Sequence, residues 1–231
     1  MIENIYVIHY TKLIERKQSI FSYIENFKLP YKFIENYDKE QLPEKSLQRF
    51  YLPDESLFES KIKNLWDINQ HKFRYLTPGE ISVAIKHFLA IQTIGENNKI
   101  GLILEDDALP LKSTFLEQIH TTLNQLPEDW DAVFIGEGCG VNYIKNRIAK
   151  DNLQISNNMC KAKHPVTNCA ESYIIKPQLA KKISEISFPF QLAFDWELAY
   201  ILYKLNANVY WSVPPIFTQG SKNGIFNSVL R

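Results

Sequence analysis

Short apolar runs alternating with stretches of helical period organise this chain. Ile5-Tyr6-Val7-Ile8-His9-Tyr10 reads as a first strand, and Leu13, Lys17, Ile20, Phe21, Ile24 and Phe27 then recur at helical spacing. Tyr31 to Tyr37 reads as a second strand, giving the β-α-β start of a parallel sheet. From Asp38 to Tyr75 the period fades while charge, proline and aromatics mix. A structureless connection of that length is unusual inside a compact domain, so short helices or a mobile flap are expected there. The clearest helix start follows: Thr77 suits an N-cap, Pro78 the first helical position, and Glu80 closes a capping box. Ile81, Ala84, Ile85, Phe88 and Ile91 form its buried face, with Glu80 and His87 two turns apart along one edge.

Ile100 to Leu104 is an apolar run without helical period, read as a buried parallel-sheet strand, and it passes directly into Glu105-Asp106-Asp107. Ser113 is placed to cap a helix with Leu116, Ile119, Leu123 and Leu126 inward and His120 in the same stripe. Trp130 to Gly136 enters another strand, ending in the turn Glu137-Gly138-Cys139-Gly140; its glycines would admit a ligand or simply make a tight turn. Val141 to Pro165 carries no assignable period. Ser172 to Ile175 reads as a strand, and Pro177 starts a helix. Asp195 reads as the N-cap and Glu197 as a first-turn acid of a helix carrying Leu198, Ile201, Leu202 and Leu205. Val209 to Val213 is read as the last strand, and the polar tail from Gln219 to Gly224 either folds over the site or is loose.

Composition narrows the class. With 231 residues, 45% of them hydrophobic, the chain can bury a substantial core, and one domain or a domain plus a small subdomain fits it. Lysine plus arginine balances aspartate plus glutamate at 26 each, so no overall field points to nucleic acid. The beginning lacks the marks of a secretory signal, and no run approaches the roughly 20 apolar residues that span a bilayer. A cytoplasmic protein is expected, with peripheral attachment at the inner face of a membrane left open. Cys139, Cys160 and Cys169 are odd in number and form no CxxC pair, which supports neither a disulfide framework nor a zinc site.

The chemistry concentrates in the three acids. Adjacent carboxylates delivered to a sheet's carboxyl edge repel each other and call for counter-charge. A hard divalent cation between a carboxylate and a substrate diphosphate would supply it. Alternatively the acids end the strand in water, with Asp107 as a turn residue ahead of Pro110. Arg16, in the first turn of the first helix, could reach a phosphate at the same edge. One of the two carboxylates Asp195 and Glu197, held at a helix mouth beside the crevice, is a candidate general base on an attacking hydroxyl; the plainer roles are a cap and a dipole partner.

In this order the pieces resemble the family-25 glycosyltransferases, which include bacterial lipooligosaccharide transferases and collagen hydroxylysine galactosyltransferases. The resemblance rests on Ile5 to Arg16, Leu76-Thr77-Pro78-Gly79-Glu80-Ile81 through His87, Leu102 to Asp107, Asp129-Trp130-Asp131 with Gly136, and Tyr173 to Lys182. It implies an α/β, A-type glycosyltransferase fold, Rossmann-like, with a mostly parallel central sheet flanked by helices. One domain would span 1–231, its donor half about 1–140 and its acceptor half about 141–231. It further implies inverting transfer from a UDP-sugar to a saccharide acceptor, with Mn2+ or Mg2+ as cofactor. Asp107 would hold the metal, and His9, Arg16, Glu80, His87, Glu105 and Asp106 would stand on the donor side. The chain departs from the family in having His9-Tyr10 where Asn-Leu is common, and no histidine follows His164 to join the metal. A catalytically silent carbohydrate-binding module of the same fold and a nucleotidyltransferase are the alternatives.

Overall fold

The computed structural model describes residues 1–65, 72–137, 153–162 and 170–228. The first strand is β1 (Asn4–Ile8), followed by α1 (Ile14–Ile24) and β2 (Tyr31–Ile34). Both β2 and β3 (Gly101–Glu105) pair parallel to β1. The described part of the connection between β2 and the capped helix is built of short helical pieces, two 3-10 turns and α2 (Glu55–Leu65). Trp66, the turn at Gly138-Cys139-Gly140, Cys169 and His164 lie outside the described residues.

α3 (Pro78–Asn97) begins as its sequence dictates. Thr77 accepts from the Glu80 amide while the Glu80 side chain accepts from the Thr77 amide, with Pro78 at the first position. After β3 come β4 (Ala108–Pro110), α4 (Phe115–Gln125), β5 (Ala132–Phe134), β6 (Leu153–Ser156), β7 (Met159–Lys161) and β8 (Ser172–Ile175). The chain continues through α5 (Pro177–Ser184), α6 (Phe194–Lys204), β9 (Val209–Ser212) and β10 (Phe217–Gln219).

Among the described residues eight strands form one sheet, in the order β2-β1-β3-β8-β5-β9-β7-β6. Its β2-β1-β3 part and the β5–β9 pair are parallel, whereas β8 runs antiparallel between β3 and β5. Successive side chains on a strand face opposite sides, which here separates two cores. Tyr6, Ile8, Ile103, Tyr173, Phe134 and Trp211 pack with α3, α5 and α6. Ile5, Val7, Leu102, Leu104, Ile174 and Tyr210 pack with α1 and α4. The result is an α/β fold with helices on both faces. Among the described residues no helix is long and apolar enough to cross a membrane.

Several local expectations are corrected. Ser113 is not the cap: α4 starts after Thr114, and although Leu116, Ile119, Leu123 and Leu126 do pack inward, its most buried residues are Phe115, Ile119 and Thr122. That phase turns His120 outward, where it meets Asn124 at 3.1 Å. α6 starts after Ala193, so Asp195 lies inside its first turn rather than at the cap. β9 is not the last strand, because β10 follows and pairs antiparallel with β4. Three-residue strands are too short to display a period of two.

Candidate functional site

The carboxyl ends of β1 and β3 lie level, Ile8 opposite Glu105, and the chain leaves β1 toward β2 on one side but returns through α3 to β3 on the other. Such a switch in strand order leaves a crevice beyond the strand ends. Here it is a cleft of about 630 Å³, counting its open mouth. His9, Arg16, Glu105, Asp106 and Asp107 all contribute to its wall. Gly79, Ser82, Val83 and Lys86 of α3 add a second wall, because residues three and four apart share a helix face.

Asp106 is a bracket. Its Oδ2 accepts from His9 Nδ1 at 2.9 Å and from the Tyr10 amide at 3.1 Å, and its Oδ1 accepts from Arg16 Nη1 at 2.8 Å. Burial alone would raise this carboxyl, but the bonds from His9 and Arg16 prevail and hold it below its ordinary value. The guanidinium of Arg16 also donates to the carbonyl of Asn227 at 2.6 Å and lies over the Phe226 ring. It therefore ties β3 to α1 and to the C-terminal segment.

Asp107 is the opposite case. It is 2% exposed, its Oδ2 accepts from the Ser221 amide at 3.2 Å, and its Oδ1 is buried with no hydrogen-bond partner. Burial raises its pKa, only partly offset by Ser221 and by Arg16 at 3.8 Å. Glu105 is raised further, by burial first and then by the charges of Asp107, Asp195, Glu171 and Asp106. Its two oxygens meet His87 Nε2 at 3.3 Å and Gln219 Nε2 at 3.1 Å.

The tail closes over these acids. The Gly220 amide donates to the Asp107 carbonyl at 2.8 Å, next to the Ser221 bond. A side chain at 220 would meet Phe226 at 2.6 Å and the Asp107 carbonyl at 3.2 Å, so glycine permits this close approach. Of the two expectations for the tail, folding over the site is the one observed.

The remaining sequence candidates lie off the cleft wall. Glu80 is engaged by the Thr77 amide at 2.8 Å and by Arg74 at 2.5 and 2.8 Å, which serves the helix start. His87 is fully buried, stacked on Phe194 with ring centroids 3.9 Å apart, and reaches the cleft only through Glu105. Burial lowers its pKa to about 3, so the imidazole is neutral. Glu197 is 1% exposed; Oε2 caps the amides of Gln191 and Leu192 at 3.1 and 3.0 Å, and Oε1 pairs with Lys61. Asp195 accepts from the Ala170 amide at 3.2 Å, and its charge acts on both Glu105 and Tyr173.

Two residues of the site went unread in the sequence. Lys86 is 1% exposed, donates to the His9 carbonyl at 2.5 Å and pairs with Asp38. Asp38 in turn accepts from Thr11, fixing the loop after β1. A lysine interrupting the buried face of α3 was the available signal; Asp38 sits in the aperiodic stretch and gave none.

A divalent cation fits this donor set. Among the described residues no group of three or more His, Cys, Asp or Glu is arranged to hold a metal. Magnesium-type sites, however, commonly use one or two carboxylates and complete their shell with substrate phosphates and water. The bare Asp107 oxygen and the mutually repelling acids around Glu105 offer that chemistry.

A doubly covered α/β sheet with buried acids at its switch point has the layout of a ligand-handling enzyme. Residues 2–197 match the model of glycosyltransferase family 25 (LPS biosynthesis protein), and the chain belongs to that family. It is a glycosyltransferase. The chain matches no curated protein sequence. Among solved structures it is similar to an apo UDP-glucose pyrophosphorylase at 12% identity and TM-score 0.46, covering 95% of this chain and 92% of that one. Similarity to protein A197 of STIV is at 13% identity and TM-score 0.45, covering 94% and 83%. Similarity to a Drosophila β-1,4-galactosyltransferase 7 mutant with manganese, UDP-Gal and xylobiose is at 10% identity and TM-score 0.37, covering 95% and 71%.

Proposed function

We propose that the protein transfers a hexosyl group, with inversion, from a UDP-sugar to a hydroxyl of a saccharide acceptor. The observation that carries this reading is the buried, partnerless Asp107 Oδ1 beside Glu105 in the switch-point cleft. Asp107 and Glu105 would hold Mn2+ or Mg2+, which when bound neutralises charge on the departing diphosphate. Asp106 keeps Arg16 and His9 in place at the same edge. Asp195, off the wall of the cleft but near enough for its charge to act on Glu105, accepts the proton of the acceptor hydroxyl, whose oxygen forms the new bond to the anomeric carbon as the bond to the diphosphate breaks. Glu197, taken up by Lys61 and two amides, serves the fold instead. The family's description as an LPS biosynthesis protein supports a lipid-linked saccharide acceptor met at the inner face of a membrane.

The test offers purified protein UDP-galactose, UDP-glucose and UDP-N-acetylglucosamine with manganese and follows nucleotide release. Turnover of one donor is expected, lost in Asp107→Ala while the circular dichroism spectrum is kept. A wild-type protein that neither binds nor consumes any of the three overturns the proposal.

A further inference from the structure

His87 belongs to the site's hydrogen-bond network without lining the cleft. Its ring lies flat on Phe194 at an interplanar angle of 11°, so it has little freedom to turn. At the far end Nδ1 is 3.1 Å from the Tyr173 hydroxyl, and at the near end Nε2 is 3.3 Å from Glu105 Oε1. A carboxylate only accepts, so against an ionised Glu105 the proton sits on Nε2 and the Tyr173 hydroxyl donates to Nδ1. The tautomer is thereby set by a tyrosine that is itself buried against Phe134. Glu105 reaches the cleft from the same sheet face as α3, and Gln219 Nε2 holds its other oxygen at 3.1 Å.

We propose that His87 is a positioning residue: Tyr173 and Phe194 fix its ring so that Nε2–H holds the Glu105 carboxylate toward the cation and diphosphate in the cleft. This rests on the metal reading given above. Groups that orient a metal-bound carboxylate typically change metal affinity or activity about 10- to 100-fold when removed.

The two side-chain amides separate this role from packing. A glutamine places its amide nitrogen near the position of Nε2, whereas an asparagine reaches only the position of Nδ1. Manganese binding is read by electron paramagnetic resonance, with and without UDP, alongside thermal unfolding of each variant. His87→Gln is expected to bind manganese within about threefold of wild type, and His87→Asn about 10- to 100-fold more weakly. His87→Phe, which keeps a ring on Phe194, is expected to behave as the asparagine variant does. Weakening that is equal in the glutamine and asparagine variants and follows their loss of stability would overturn the inference, as would wild-type binding by His87→Asn. Failure of the wild-type protein itself to bind manganese with UDP would remove the metal reading and this inference together.

Discussion

Asp106 and Asp107 are neighbours in the chain with opposite surroundings: Asp106 has both oxygens bonded to protein donors, and Asp107 keeps one buried oxygen bare. The expected consequences of substitution are opposite too. Asp106→Ala strips the partner from buried Arg16 and from His9, and breaking a buried ion pair costs roughly 3–5 kcal/mol. Asp107→Asn removes a charge that its neighbours repel, so its stability should equal or exceed wild type. Urea unfolding of the two variants checks this, and turnover should fall about 100-fold or more in Asp107→Asn. Equal destabilisation would show that the two carboxylates are held alike.

The raised acids predict how pH and metal combine. Glu105, through burial and the neighbouring carboxylates, and Asp107, through burial, bind protons more tightly folded than unfolded. Stability without metal should therefore be full below the ordinary carboxylate pKa and decline as pH rises toward the folded values. A cation competes with those protons, so its stabilising effect should grow over the same window. Manganese should raise the unfolding temperature more at about pH 7.5 than at about pH 5. Identical shifts at both would contradict the assignment.

Glu197 and Asp195 are two residues apart on α6 but differ in what they hold. Glu197→Ala leaves half-buried Lys61 without its counter-charge and two buried amides uncapped, predicting a loss of roughly 1–3 kcal/mol. Asp195→Asn keeps an oxygen for the Ala170 amide and should unfold near wild type. Its kcat should fall about 100-fold or more, because an amide cannot take a proton. A full kcat in Asp195→Asn would reassign the base.

What could be read in advance follows from the range of each interaction. The capping box at Thr77 and the strand-to-acid transition at Leu104 and Glu105 are local, and both stand as the sequence predicts. Glu80 also illustrates a local reading that was sufficient, since its bonds serve the helix start. By contrast, the direction of β8 leaves no trace in its apolar run, and β4 and β10 are too short to show alternation. The bracket of Asp106 links residues 90 and 97 positions apart, and the tail's bonds to Glu105 and Asp107 span 114. Neither separation has a sequence signature.

Lys86 gives a test that needs no substrate. Its ammonium is buried between the His9 carbonyl and Asp38, and Asp38 holds Thr11 in the loop that follows β1. Lys86→Met leaves the buried Asp38 side chain without its counter-charge, and should cost roughly 3–5 kcal/mol. Removing the second charge as well, in Lys86→Met with Asp38→Asn, takes away the unpaired group, so the double variant should be more stable than the lysine variant alone. A coupling of about 1–3 kcal/mol in the double-mutant cycle is expected for side chains in direct contact. Because the same ammonium holds the backbone at His9, the lysine variant should also bind UDP more weakly, measured by calorimetry at a temperature where it is still folded. Strictly additive unfolding energies would mean that the pair is not the unit holding β1's end in place.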